Sequence, residues 1–239
     1  MLEKERVHSD AWMPPWLHHQ HVARYEWALE YCRGVKVLDA ACGSGYGSRI
    51  LTREAEVISV DIAVDAIADA RRGGSSAPLR LMLADTTALP FETGSFGAYA
   101  SFETIEHVRD DRSYVAEARR VVANGGVFLC STPNRVVVNP GNTIADAPFN
   151  RFHIREYSAS ELHSKLRESF ADVVILGQTP YAGPYVTSLG RVGRVWKMAA
   201  VRLHQIRKVL SVPFDSAGAH WPGPPVPGTQ PEVLIAICR

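Results

Sequence analysis

The chain has 239 residues, 46% of them hydrophobic and 21% charged, enough for one substantial core or one domain with a small appendage. Its 26 basic and 25 acidic residues leave a net charge of +1, so no global field directs it to nucleic acid, and its four dispersed cysteines (Cys32, Cys42, Cys130, Cys238) form no C-x-x-C pair, which argues against a zinc knuckle or redox dithiol and for buried thiols in a reducing compartment. The polar start lacks an apolar leader, and no run approaches the ~20 apolar residues of a membrane span, so a cytoplasmic location is expected.

In chain order, "HQHVARYEWALEYC" reads as a helix before the first strand, with Trp27, Leu29 and Tyr31 as core residues. Short apolar runs at 35–40, 56–61, 79–85, 96–102 and 125–132 then read as strands, and their lack of strict alternation suits burial on both faces. Helix-like stretches separate them. In "AVDAIADARR" the apolar positions are Val64, Ile67 and Ala68; in "RDDRSYVAEARRVV" they are Tyr114, Val115, Ala118, Val121 and Val122, with Asn124-Gly125-Gly126 expected to end that helix. Five strands with intervening helices argue for a parallel, doubly wound sheet.

Beyond 131 the rhythm changes. A Pro/Asn/Gly-rich loop follows, of the kind often functional in compact domains, and its return carries His153, Arg155 and Tyr157 as substrate candidates. "SASELHSKLRESF" is a helix with Ser158 or Ser160 as N-cap, 171–177 a sixth strand and 232–238 a seventh. Between those strands, 191–208 holds Arg191, Arg194, Lys197, Arg202, Arg207 and Lys208 and no acid, with apolar residues at roughly helical spacing. It reads as an amphipathic helix packed on the sheet edge, or as a membrane-surface helix or lid over an anionic or lipid-linked acceptor.

The stretch "VLDAACGSGYGS" (37–48) is the most informative. A P-loop needs a Gly-Lys pair, and none occurs. The dinucleotide fingerprint comes closer: Gly43 and Gly45 fit, the third glycine falls at Ser48, and Asp61 lies 22 residues beyond Asp39, suited to bonding ribose hydroxyls. Asp39 weighs against a phosphate. Like charges at ~5 Å cost roughly 1–3 kcal/mol at intermediate dielectric, whereas a ligand with a cationic end reverses that sign. Glycines are still required where backbone approaches a ligand closely.

"VLDAACGSGYGS", "VISVDIA", "LADTTALPF" and "SFETIEHV", in that order over about residues 20–180, resemble the class I S-adenosylmethionine-dependent methyltransferases. Ala41 departs from the glycine many members carry there, and is tolerated if its φ is negative. The resemblance implies an α/β fold: a Rossmann-like, doubly wound, seven-stranded, mostly parallel sheet with helices on both faces and the last strand antiparallel. It implies a single domain over 1–239, with a lid helix at 19–34, a substrate loop at 133–157 and a basic insertion at 189–230. The implied cofactor is S-adenosyl-L-methionine. Asp39 would lie near its ammonium, directly or through water. Ala41, Gly43 and Gly45 would line its amino-acid and ribose portion. Asp61 would hold the ribose hydroxyls, Ile62 flank the adenine, Asp85 accept from the adenine amino group beside Thr86, and Phe102 sit near the methyl-bearing sulfur.

An oxygen acceptor benefits from a base or a metal. If "Glu103-Thr-Ile-Glu106-His107" opens a helix, positions 103, 106 and 107 share a face. Glu103 and His107 are then candidate catalytic residues, with His107 as a metal-free base. Alternatively Glu103, Glu106, His107 and His153 hold a divalent metal, an arrangement that resembles the small-RNA 2′-O-methyltransferases and quinone-biosynthesis O-methyltransferases. His19, His21, Arg24 and Tyr25 would cover cofactor or substrate. The expected activity is O-methylation of a small molecule or glycan, in secondary metabolism or cell-envelope synthesis. The alternatives are an RNA or quinone O-methyltransferase, an inactive cofactor-binding regulatory protein, and an NAD-dependent oxidoreductase. The expected partners are that acceptor and a membrane surface touched through 191–208; nucleic acid is disfavoured.

Overall fold

The computed structural model describes residues 15–73, 79–181, 221–224 and 230–239. It forms a seven-stranded sheet between helices. The strands are β1 (Lys36–Ala40), β2 (Glu56–Asp61), β3 (Arg80–Leu83), β4 (Phe96–Phe102), β5 (Val122–Pro133), β6 (Val173–Tyr181) and β7 (Gln230–Cys238). The helices are α1 (Pro15–Cys32), α2 (Tyr46–Leu51), α3 (Val64–Arg72), α4 (Asp111–Val121), α5 (Arg135–Val138) and α6 (Ala159–Leu166). The spatial order is β3-β2-β1-β4-β5-β7-β6. The first five strands run parallel, and β7 is antiparallel to both β5 and β6. The α/β fold expected from the sequence, with its antiparallel last strand, is the fold observed. Strand order reverses between β1 and β4, which places the ligand crevice at their carboxyl ends.

Alternate residues of the central strands feed two cores. Leu38, Ile58, Val60, Tyr99 and Phe128 face one side, where Tyr114, Val115 and Ala118 of α4 cover them. Val37, Val57, Ala98, Ala100 and Leu129 face the other, under Trp27, Ala28 and Cys32 of α1. Burial on both faces explains why these strands lack alternation. The edge strand β3 departs from that expectation, because three of its four residues are exposed. Trp27 is buried as expected, with Leu29 and Tyr31 partly buried against the same cluster. All four cysteines are buried and free.

Two local expectations fail for stated reasons. Val64 opens α3 on its solvent side, and the buried stripe is Ala66, Ile67 and Ala70 instead. Asn124-Gly125-Gly126 does not cap α4. The helix stops at Val121, and the triplet lies inside β5, where pairing with β4 slips between Phe96 and Ala98. Gly125, at φ 78°, accommodates that irregularity. Ser158 is the N-cap of α6, in a reciprocal capping box with Glu161. The basic stretch 191–208 lies outside the described residues, so neither its helix nor its membrane contact enters the structure. Among the described residues no helix is long and apolar enough to cross a membrane.

Candidate functional site

The loop leaving β1 turns sharply. Ala41, Gly43 and Gly45 all have positive φ, at 58°, 54° and 71°. The condition under which alanine was expected to be tolerated at 41, a negative φ, is therefore not met. The turn is fixed by Cys42 N donating to Val60 O (3.0 Å) and Gly45 N donating to Cys42 O (2.9 Å). An L side chain held in that region costs about 1–2 kcal/mol. At Gly43 a Cβ would meet nothing within 4 Å, so the loop presents bare backbone to open space there. Its amide donates to Asp61 Oδ2 (3.0 Å), while Asp61 Oδ1 accepts from Ala63 N (2.9 Å). Asp61 thus braces two loops, and each oxygen keeps a second lone pair for a hydroxyl. Beside it Ile62 is 67% exposed, an apolar face with no protein cover. Asp85 is exposed at the next strand end, its Oδ1 accepting from Thr87 N (2.8 Å) and Thr87 Oγ1 (2.7 Å), with Thr86 half-buried between them.

Asp39 is wholly buried beneath this loop. Its Oδ1 accepts from Tyr25 OH (3.1 Å) and its Oδ2 from Ser48 Oγ (2.5 Å). Burial pushes its carboxyl up to about 6, against the two hydroxyls, which pull it down. Direct contact with a ligand ammonium, one of the two expected modes, does not fit a carboxylate with no exposed surface and a hydroxyl on each oxygen. Ser48, read in the sequence only as a missing third glycine, is the residue that grips this carboxylate.

Tyr25 was expected to face substrate and does not. It is 5% exposed, and its ring covers Gly47 so closely that a Cβ there would come within 2.1 Å of Tyr25 Cζ. Its edge packs on Phe102 at 5.0 Å between centroids and on Tyr46 at 5.5 Å. Phe102 is consequently buried. Tyr25 joins α1 to the loop instead of lining a substrate wall.

The Glu-His segment forms a single 3-10 turn, Ile105–His107, not an α-helix. Glu103 precedes it at φ 51°, so positions 103 and 106 share no helical face. Glu103 turns toward Ser131 (Oγ to Oε1, 2.7 Å) and Arg24 (Nη1 to Oε1, 3.4 Å). Glu106 is buried, and its Oε2 accepts from Thr132 Oγ1 (2.9 Å); Oε1 has no hydrogen-bond partner among the described residues. Burial drives its carboxyl well above the ordinary range, and the neighbouring Glu103 charge adds to that.

His107 Nδ1 lies 3.1 Å from Phe152 O. A carbonyl only accepts, so a proton sits on Nδ1, and in the neutral ring Nε2 carries the lone pair. His153 is held the same way, with Nδ1 on Glu156 Oε1 (2.6 Å) and Nε2 by Asn150 Nδ2 (3.0 Å). The two rings meet edge to face at 4.9 Å. Glu106, His107 and His153 can each offer one ligand atom with all three within 4.8 Å of one another. Glu103, expected as a fourth, is not in this group, because its side chain is committed to Arg24 and Ser131.

Arg155 and Tyr157 were expected at the substrate. Both bind Asp111: Arg155 Nη1 pairs with its Oδ2, and Tyr157 OH donates to the same oxygen at 2.7 Å. Tyr157 is fully buried. They clamp the returning loop onto α4. Of the three residues expected from that loop, His153 is the one whose side chain joins the cluster, while Phe152 O meets His107 and Ile154 N donates to Glu106 O (2.7 Å). Ser131 and Thr132, missed in the sequence, hold the two glutamates from the end of β5; the polar pair closing an apolar strand was the available signal.

A glycine turn of open backbone, a buried acid below it and a strand-end acid beside it make a candidate nucleoside-cofactor site at the switch point of an α/β sheet. Residues 38–130 match the family model described as "Methyltransferase domain". This domain belongs to the class I S-adenosylmethionine-dependent methyltransferases, and the cofactor of that family is S-adenosylmethionine. The chain is 35% identical over 179 residues to a "Probable S-adenosylmethionine-dependent methyltransferase" of Mycobacterium tuberculosis H37Rv, covering 74% of this chain and 63% of that protein. It therefore spans less than two thirds of that relative's length. A ubiquinone biosynthesis O-methyltransferase of Ruegeria sp. is 34% identical over 105 residues, covering 43% of this chain and 42% of its own. The crystal structure of YcgJ from Bacillus subtilis superposes with a TM-score of 0.59 at 20% identity, covering 93% of this chain and 98% of its own, and shares the fold.

Proposed function

We propose that this chain transfers a methyl group from S-adenosylmethionine to an oxygen of a small molecule or glycan. The observation that carries the reading is the grouping of Glu106 and His107, just beyond the carboxyl end of β4, with His153; β4 pairs with β1, whose carboxyl end opens the glycine loop. When bound, the cofactor supplies an electrophilic methyl and its own leaving group. Gly43, Asp61, Ile62 and Asp85 suit a phosphate-free nucleoside: open backbone, a carboxylate for hydroxyls, an uncovered apolar side chain and an exposed acceptor. The buried Asp39 supports a ligand with a cationic end. Tyr25 and Phe102 keep water from the loop floor. His107, its proton fixed on Nδ1 by Phe152, accepts the acceptor's proton at Nε2.

Calorimetry with S-adenosylhomocysteine and with NAD tests the cofactor, and binding of NAD alone would overturn the reading. His107→Asn is expected to lower methyl transfer at least 100-fold with S-adenosylhomocysteine affinity unchanged. Products methylated on nitrogen or carbon would remove the oxygen assignment.

A second reading keeps the reaction and adds a divalent cation. The Nδ1 contact of His107 to a carbonyl is the orientation that presents Nε2 to a metal, His153 Nε2 would exchange its contact with Asn150 Nδ2 for the ion, and Glu106 Oε1 has no hydrogen-bond partner among the described residues. Manganese uptake is then lost in Glu106→Ala and kept in Glu103→Ala; no saturable uptake by the unmodified protein refutes it.

A further inference from the structure

The segment 149–156 meets the Glu-His turn through its backbone. Phe152 O lies 3.1 Å from His107 Nδ1, and Ile154 N donates to Glu106 O at 2.7 Å. Which nitrogen of His107 carries the proton is thus set by a carbonyl on a loop, and the shape of that loop is part of the site.

Two buried side chains hold the shape. Asn139, just past α5 and 4% exposed, accepts from Phe149 N at Oδ1 (3.1 Å) and donates from Nδ2 to Glu156 Oε2. Glu156, 2% exposed, takes His153 Nδ1 at its other oxygen (2.6 Å). Asn150 closes the far side: its Oδ1 accepts from Phe152 N (3.1 Å), and its Nδ2 faces His153 Nε2 (3.0 Å). A backbone N–H can only donate, so Phe149 N and Phe152 N orient both asparagine amides. Asn150 Nδ2 is then the donor to His153 Nε2, and the His153 proton lies on Nδ1, pointing at Glu156. His153 is a neutral ring held at both nitrogens.

Glutamate is the residue this junction requires. Two N–H donors, from Asn139 and His153, converge on its two oxygens. Glutamine would set its own NH2 against one of them. Arg155 and Tyr157 on either side close on Asp111, whereas Glu156 between them turns to Asn139 and His153. Apolar side chains would close the same loop without the desolvation cost of a buried carboxylate; what the carboxylate adds is one fixed arrangement of donors.

We infer that Glu156 is a positioning residue for His107. By drawing Asn139 and His153 onto one carboxylate, it holds segment 149–156 in the shape that puts Phe152 O on His107 Nδ1 and leaves Nε2 to the acceptor. That His107 is the base rests on the proposed function; that Glu156 sets its proton rests on the hydrogen bonds around Glu156.

The test reads the His107 tautomer from two-bond ¹⁵N–¹H correlations of the histidine rings, assigned by their loss in His107→Asn, at a pH where the ring is neutral and with EDTA present so that no metal fixes it. In the unmodified protein the ring is expected wholly protonated on Nδ1. Glu156→Gln is expected to give both tautomers, as is Asn139→Asp, which sets two carboxylates against each other. The double variant Asn139→Asp/Glu156→Gln restores a donor opposite an acceptor at each contact and is expected to return the ring to Nδ1. A mixed ring in the unmodified protein, a ring still wholly Nδ1-protonated in Glu156→Gln, or a folded double variant that stays mixed overturns the inference. If neither single variant folds, the double variant decides alone. Calorimetry with S-adenosylhomocysteine should give unchanged affinity in the folded variants; its loss would make the change a general collapse and overturn the positioning role. The readout does not depend on turnover. Products methylated on nitrogen or carbon would remove the oxygen assignment and leave Glu156 in place, whereas a failed tautomer test removes Glu156 alone.

Discussion

Replacing Asp39 by Asn is expected to stabilise the ligand-free protein and weaken its hold on the cofactor. Burial raises the Asp39 carboxyl from 3.8 to about 6. At about 1.4 kcal/mol per pH unit, that difference is about 3 kcal/mol. The sign follows from the direction. A raised folded value favours folding while the group is protonated, fully so below pH 3.8, and that contribution is lost as pH rises through 6. Asparagine stays neutral, can accept one hydroxyl at Oδ1 and can donate to the other at Nδ2. Ligand-free Asp39→Asn should therefore match the unmodified protein near pH 4 and exceed it at pH 8 by up to about 3 kcal/mol, about 6–12 °C in Tm for a chain of this size. Affinity for S-adenosylhomocysteine moves the other way. The unmodified protein should bind more weakly as pH falls through 6, whereas the variant should be pH-independent there and about 30-fold weaker at pH 8, the loss of one buried charge at effective dielectric ~20. Denaturant melts at both pH values and calorimetry read these effects. A stability difference that is the same at both pH values, or unchanged affinity at pH 8, refutes the role of the Asp39 charge.

Ala41→Gly should raise stability by about 0.5–1 kcal/mol in denaturant melts, the left-handed cost of alanine less the added unfolded-state freedom of glycine. Gly47→Ala drives a methyl into the Tyr25 ring and should cost about 1–3 kcal/mol or more; combined with Tyr25→Ala the losses should be less than additive, because one clash is counted in both. Ile62→Ala should leave the melting curve within about 0.5 kcal/mol of the unmodified protein, yet lower S-adenosylhomocysteine affinity about 10-fold through lost apolar cover. Tyr157→Phe should cost about 1 kcal/mol of stability by removing the bond to Asp111, with nucleoside affinity unchanged; a drop in affinity would return Tyr157 to the site.

The fold was legible because its cause is periodic. Strands buried on both faces lose alternation, and helices between them carry one apolar stripe, so β1, β2, β4 and their connections could be read from residue type alone. Glycine positions and strand-end acids were legible for a similar reason, since their roles follow from backbone geometry within a dozen residues. What failed depended on contacts across the chain. Nothing near Tyr25 in sequence says that its hydroxyl meets Asp39. Nothing in 153–157 says that Arg155 and Tyr157 close on Asp111 while the His153 ring packs on His107. The Glu103–His107 segment misled because helical spacing was assumed where a left-handed Glu103 breaks it. The φ of Ala41 could not be read from its neighbours, because two backbone hydrogen bonds fix the turn with that residue in the left-handed region.

The strand that comes last in the chain does not lie at the margin of the sheet. β7 sits between β5 and β6, so β6 has no place to dock until residues some fifty positions later have been made. A ribosome emitting this chain releases the nucleoside half first and leaves β5 with an open side. Asn134 waits for the Glu232 carbonyl, and Gln20 of the covering helix waits for the Glu232 side chain. Loop closure over such a span is slow compared with pairing of neighbours. The half that would hold an acceptor is therefore assembled only after β7 has been made, and a chain that stops short of β7 could present the glycine loop but not a closed site.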